Sequence, residues 1–429
     1  MLPAKLKRIF ANPENRDLLL NSALAFVVRI FGALAGFIAT FFIARTLGAE
    51  ESGLYFLAFS LLTILAAVSR VGMDNTLIRF VGSGPEQGLS VLLKGIVVSA
   101  AVSSFAAAVV FFLADFLSRS VFDKPTVAPV LRFISVGIVG LSLLTLAANA
   151  LQGLRRVTSS IFTLNIAVNL GLVVAVVFFP VNQAVSLAGV YAGASLVVGL
   201  LGVVLCLVFQ PPQSGVQVAW GVVWKSCLPL WAVVIMSQLV QWSGQFIAGA
   251  YVSSDLVAQL AVAQRTAMLA SFVLIAVNLV VAPRFAALHR QGSKAGMQRL
   301  AINSVKLISL MALPVVGVML VFPAFLMGLF GEGFGGGARL LQILAVGQFV
   351  NAMTGSVGYL LMMSGHERDM RNVTLISGTL ALSLTWVLTV YFGATGNAVG
   401  TAVAVATQNL LAVYFVKKRL GFNTLAVWR

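Results

Sequence analysis

Five basic residues stand inside long apolar runs, where a charged side chain has no water to face: Arg29, Arg70, Arg132, Arg265 and Lys306. A cation at the centre of a bilayer costs about 2.5–3.5 kcal/mol on insertion scales, so it persists where it pairs, bonds to a neighbouring helix or lines a wet path. The acids do not balance these cations. Of the twelve Asp and Glu residues, Asp74 is the one read as clearly intramembrane, and it follows Arg70 by one helical turn, which predicts an Arg70–Asp74 pair. Arg29 lies about eleven residues into its run, roughly 16 Å along a helix, and Arg265 and Lys306 about ten and eight. Arg132, near the end of its run, has the reach to touch the headgroups. Unpaired cations at depth can attract a phosphate or a carboxylate into a positive lumen, so the chemistry on offer is recognition. The competing reading is that they bond to helix carbonyls and amides.

Amides form the second candidate set. Gln238, Gln241 and Gln245 are spaced by three and then four residues, which places them on one helical face. Amides both donate and accept, as the hydroxyls of a carbohydrate require; interhelical hydrogen bonding is the equal alternative. Asn165 and Asn169, and Gln348 and Asn351, are weaker candidates of the same kind. Nothing resembles a catalytic or metal constellation. His289 and His366 fall in loops, and Cys206 and Cys227 are expected to be packing residues. The glycine-rich Gly331–Gly337 stretch lacks the Lys-Ser/Thr ending of a phosphate loop and reads as a flexible connection. The sequence therefore predicts no enzyme, no cofactor and no metal.

The elements that must position these residues are transmembrane helices. The chain has 429 residues, 60% of them hydrophobic and 9% charged, with mean hydropathy +1.01. That charge is too sparse to coat a soluble domain of this size. Apolar runs of about 20 residues recur from end to end without strand alternation. The expected fold is an all-α integral membrane protein with twelve transmembrane helices, at 18–46, 53–79, 89–117, 127–152, 158–180, 185–209, 221–251, 255–287, 298–322, 338–363, 370–392 and 396–418. The Gln-Pro-Pro-Gln-Ser-Gly stretch at 210–215 divides them. The expected domains are an N-terminal segment 1–17, a six-helix bundle 18–209, a linker 210–220, a second six-helix bundle 221–419 and a tail 420–429. Two such bundles around a central cavity are a transporter architecture, with the substrate site between halves that rock. Gly32–Gly36, Gly189–Gly193 and Gly396–Gly400 are expected to be close helix-packing points.

The net charge of +16 lies in the loops, which favours membrane orientation over nucleic-acid binding. With the loops placed alternately on two sides, the side holding both termini collects most of the Lys and Arg. The other side keeps Arg45, Arg119, Lys124 and Arg339 together with Glu50, Glu51, Asp123, Asp255 and Glu332. The positive-inside rule puts both termini in the cytoplasm.

Motifs spread over nearly the whole chain resemble those of a known family. They include Ala44-Arg45-Thr46-Leu47-Gly48, Gly53-Leu54-Tyr55, Gly72-Met73-Asp74 followed by Arg79, and Leu151-Gln152-Gly153. The second half adds Leu228-Pro229-Leu230, Ala261-Val262-Ala263-Gln264-Arg265, Ala282-Pro283-Arg284-Phe285, Leu340-Leu341-Gln342-Ile343-Leu344 and Gly347-Gln348. In order and spacing they resemble the Wzx-like polysaccharide and oligosaccharide flippases of the multidrug/oligosaccharidyl-lipid/polysaccharide exporter superfamily. The resemblance implies a bacterial inner-membrane protein. It would carry a polyprenyl-diphosphate-linked oligosaccharide (an O-antigen, capsule or exopolysaccharide unit) from the cytoplasmic to the periplasmic leaflet. Membrane lipids and possible glycan-polymerase and chain-length machinery would be its partners. Arg29, Arg70, Arg132, Arg265, Lys306, Gln238, Gln241 and Gln245 are then the expected substrate-binding residues. Many relatives carry an acid in the seventh span, where this chain has Gly244-Gln245, so Asp74 is the candidate for ion coupling. A cation-coupled multidrug exporter and a peptidoglycan-precursor flippase are the alternatives.

Overall fold

The computed structural model describes residues 13–83, 85–210 and 217–426, with side chains from residue 28 onward except at a few positions that include Arg29. The expected 1–17 segment, the 210–220 linker and the 420–429 tail lie partly outside the described residues. The described residues form helices joined by short turns: α1 (Pro13–Ser69), α2 (Met73–Ser83), α3 (Pro85–Phe116), α4 (Val127–Gly153), α5 (Val157–Ile161), α6 (Ala167–Phe178) and α7 (Ala184–Phe209). The second half comprises α8 (Trp220–Tyr251), α9 (Ser254–Ala267), α10 (Ser271–Arg290), α11 (Lys294–Val321), α12 (Pro323–Gly328), α13 (Ala338–Thr354), α14 (Val357–Met363) and α15 (Glu367–Leu420). Among the described residues eight helices are long and apolar enough to cross a membrane, or nine if α13 and α14 with the turn before them form one bent span.

Two of those eight are hairpins. Gly48 interrupts α1 with φ 74° and ψ 179°, and Gly393 interrupts α15 with φ 58° and ψ −141°. On a straight helix Ile43 and Ser52 would be about 13 Å apart, yet the Ser52 hydroxyl lies 3.4 Å from the Ile43 carbonyl. Asn397 likewise reaches Thr389 at 3.0 Å. The chain reverses at each glycine because a positive φ there carries no Cβ penalty. Counting two arms in each hairpin and the bent pair gives eleven, and with the 32-residue α8 added the architecture is consistent with the twelve expected spans. Gly396 and Gly400 are the closest helix contacts of the expected small-residue pairs: a Cβ on them would fall 1.9 Å from the Leu388 carbonyl and 2.7 Å from Thr385 Cα. Gly193 has open space beside it, so the Gly189–Gly193 pair is not such a contact.

The turns at 48, 122–126, 252–253 and 393 share one end of the bundle, the turn end. The opposite end receives residue 13 and releases residue 420. The halves meet firmly at the turn end. A Cβ on Gly53 would lie 1.7 Å from the Ser254 carbonyl, and one on Gly249 would lie 2.0 Å from Leu57 Cδ1. The Lys124 ammonium, on the loop after α3, donates to the carbonyls of Gly249 at 2.5 Å and Phe122 at 3.2 Å. Burial lowers the pKa of this lysine, and the neighbouring Asp123 opposes the shift. At the opposite end α8 holds the halves together, with the Trp231 indole donating to the Val68 carbonyl at 3.0 Å, whereas α10 scarcely touches the first half.

The Gly331–Gly337 stretch is not the loose loop expected. It winds into a 3-10 turn at Glu332–Gly337 whose Phe334 is fully buried, and the Gln259 amide donates to the Gly333 carbonyl at 2.9 Å. Phe334 supplies the apolar anchor that a run of glycines lacks. Cys206 and Cys227 are free, fully buried packing residues, as expected. An orientation test follows from that burial. A thiol at the exposed position 332 (Glu332→Cys) should react with an impermeant maleimide added to intact cells, while one at Glu367 should react only after permeabilisation.

A cavity between the two halves

Between the halves lies a cavity of about 450 Å³. The first arm of α1 contributes Gly32, Ala33, Gly36 and Phe37; its second arm contributes Phe59 and Thr63. Gln241, Trp242 and Gln245 reach it from α8, Gln264 and Arg265 from α9. Two helix irregularities shape the wall. A π turn at Phe162–Ile166, between α5 and α6, sets Leu164 and Asn165 on the lining, and Asn165 sits where a Cβ on Gly32 would fall 2.7 Å away. Such single π turns recur at functional sites because they rephase the residues around them. A 3-10 turn at Met268–Ala270 breaks α9 from α10 one turn past Arg265.

Arg265 is the one charged side chain on the described lining. No carboxylate pairs with it among the described residues. Its guanidinium donates to the Thr40 hydroxyl, and its Cζ lies 4.5 Å from the centre of the Phe56 ring. A hydroxyl and an aromatic face hold a guanidinium in place without neutralising it. Arg29, the other deep cation of the first arm of α1, lies outside the residues whose side chains are described.

The other expected cations stand elsewhere. Arg70 is buried against Asp74, Nε to Oδ1 at 2.7 Å, and the Asn149 amide donates to the same oxygen at 3.1 Å; Asp74 Oδ2 is buried without a partner. The pair sits beside the break between α1 and α2, off the cavity lining. Arg132 pairs with Asp115 across the turn between α3 and α4, and both are exposed. Asp115 is the partner the sequence reading overlooked. Lys306 is not brought to the cavity either. The buried face of α11 carries Ser304, Ile308 and Ala312, and Lys306 projects from the opposite face beside Leu310, which is 71% exposed. Gln241 and Gln245 line the cavity, and Gln238, one turn earlier, does not. Asn165 and Asn169 line it. Gln348 and Asn351 instead bond inside the second half, with the Ser271 hydroxyl donating to Gln348 Oε1 at 2.6 Å. Phe59, Trp242, Tyr191 and Gln264 were missed; nothing marks one aromatic among 30 Phe as cavity-facing. Among the described residues no group of three His, Cys, Asp or Glu could hold a metal ion.

This fold is that of the multidrug/oligosaccharidyl-lipid/polysaccharide transporters. The chain overlays the lipid II flippase MurJ in an inward closed conformation with TM-score 0.75 at 14% identity, over 92% of this chain and 87% of that one. It overlays an inward-facing multidrug-resistance MATE transporter with TM-score 0.73 at 15% identity, over 93% and 98%. Residues 18–289 match the family described as polysaccharide biosynthesis protein, and the chain belongs to that family. It is also 24% identical, over 93% of its length and 84% of the relative's, to the probable low-salt glycan biosynthesis flippase Agl15 of Haloferax volcanii.

Proposed function

We propose that this protein is a flippase for a polyprenyl-diphosphate-linked oligosaccharide. The anionic headgroup and glycan cross through the cavity while the lipid tail stays in the bilayer. One observation carries the reading: Arg265 enters a cavity between two helical halves with no acid beside it on the described lining. A cation left unneutralised in a low-dielectric chamber binds a phosphate more strongly than it would in water. Family membership and the likeness to Agl15 support the same substrate class. Both termini are cytoplasmic and the turn end faces outward, from the loop charges. In a bacterium this places the protein in the inner membrane, with transport toward the periplasm, where glycan-polymerase and chain-length machinery would take up the unit. Arg29 joins Arg265 at the headgroup, and Asp74 is the candidate coupling acid, with its free Oδ2. The reading as a cation-coupled drug exporter is disfavoured because organic cations call for an acidic lining.

Reconstitution tests this. In liposomes the protein should speed the transbilayer movement of a fluorescent short-chain polyprenyl-diphosphate sugar and leave a cationic dye unmoved. Dye transport without sugar-lipid movement would reverse the assignment.

A further inference from the structure

The cavity has a second pole. Phe59 packs edge-on against Trp242 at 5.3 Å and Tyr191 at 5.1 Å between ring centres, and all three line the cavity. These rings are continuous with the cation. From Phe56, under the Arg265 guanidinium, contact passes to Tyr55 at 5.7 Å and from Tyr55 to Phe59 at 5.9 Å. Phe56 and Phe59 are three residues apart, a rise of about 4.5 Å along one helix. Beside this aromatic corner stand Gln241 and Gln245, and Gln245 Oε1 is buried without a partner.

We propose that the Phe59–Tyr191–Trp242 corner, with Gln241 and Gln245, is the seat of the sugar ring attached directly to the diphosphate. This rests on the anion reading of Arg265 given above. A pyranose presents an apolar C–H face and a rim of hydroxyls. The C–H face packs on the negative face of an aromatic ring, and the hydroxyls call for groups that both donate and accept. The free Gln245 carbonyl oxygen would accept from one of them, which removes the penalty of burying it unpaired. The spacing agrees: in a sugar diphosphate the ring directly adjoins the phosphate, and here the aromatic corner stands one helical turn from the surface under Arg265. A purely lipidic or drug-like cargo would not need amides at this corner.

Equilibrium binding to the purified full-length protein tests this with two charge-matched probes. One is farnesyl diphosphate esterified with glucose or N-acetylglucosamine; the other is farnesyl diphosphate esterified with methanol. The wild-type protein should bind a sugar probe about tenfold more tightly than the methyl probe. Trp242→Ala should erase that difference and leave methyl-probe affinity unchanged. Trp242→Phe, which keeps a ring, should retain part of it. Arg265→Gln should weaken both probes by the same factor. Equal binding of the two probes by wild type, or Trp242→Ala weakening both alike, overturns the sugar seat and leaves the anion reading intact. Arg265→Gln without effect on either probe overturns the anion reading, and failure of both probes to bind overturns both.

Discussion

Arg265→Gln should reduce transport roughly 30-fold or more, with the protein still inserted and folded. Truncating one partner of a buried charged contact costs about 2–5 kcal/mol, and each 1.4 kcal/mol is tenfold. Glutamine keeps the aliphatic stem and an uncharged amide, but its amide carbon stops two bonds short of the guanidinium carbon, so the charge is lost together with the reach to Thr40 and the Phe56 face. Arg265→Lys should fall between, because an ammonium is a point charge without the guanidinium's fork of donors. Lys306→Gln is the matched control. It removes an exposed cation from the outward face of α11 and should leave transport within about twofold of wild type, as surface substitutions do. The measurement is initial rate per inserted protein in liposomes. Equal rates for Arg265→Gln and wild type would remove the basis for an anionic cargo.

Arg265 and Lys306 look alike in the sequence, each a lone cation in an apolar run, and the structure separates them. The reason is physical. A helix in a membrane is apolar on its lipid face and on its packing face, so hydrophobicity does not reveal which way a residue turns. The Arg70–Asp74 pair was legible because partners one turn apart on a helix need no tertiary knowledge. Arg132 and Asp115 lie on separate helices across a turn, and their pairing depends on how α3 meets α4. Asn165 reaches the cavity through a π turn that leaves no compositional trace. The apolar helices themselves were readable, since bilayer thickness imposes their length directly. The aromatic corner was not, because phenylalanine and tryptophan serve equally as lipid-facing bulk.

Gly53→Ala should shift the protein away from the conformation described here. At this residue the start of the second arm of α1 lies against the backbone of Ser254 in the other half, and a methyl group would sit 1.7 Å from a carbonyl oxygen. Overpacking a well-fitted contact costs about 1–3 kcal/mol, and here a backbone atom, with no rotamer to move, receives the clash. Joining the halves at the turn end should then become about 10- to 100-fold less favourable. A single thiol at the exposed, cavity-lining position 241 (Gln241→Cys) reports the shift. In the otherwise unaltered protein an impermeant maleimide should reach it mainly from the cytoplasmic face; with Gly53→Ala it should reach it from the outer face, and transport should fall with it. Unchanged labelling and unchanged transport would mean that closure at this end is not a step of the cycle.

The reversals at Gly48 and Gly393 bear on how the chain enters its membrane. Each joins two apolar arms through one non-helical residue, so the segment that has to cross is short, and at the first reversal it carries Arg45, Glu50 and Glu51. Two arms joined so tightly can enter as one helical hairpin, each helix satisfying its own backbone groups. A side chain placed at either glycine should therefore be felt first during biogenesis, as lost membrane yield, before any effect on the finished transporter could be measured.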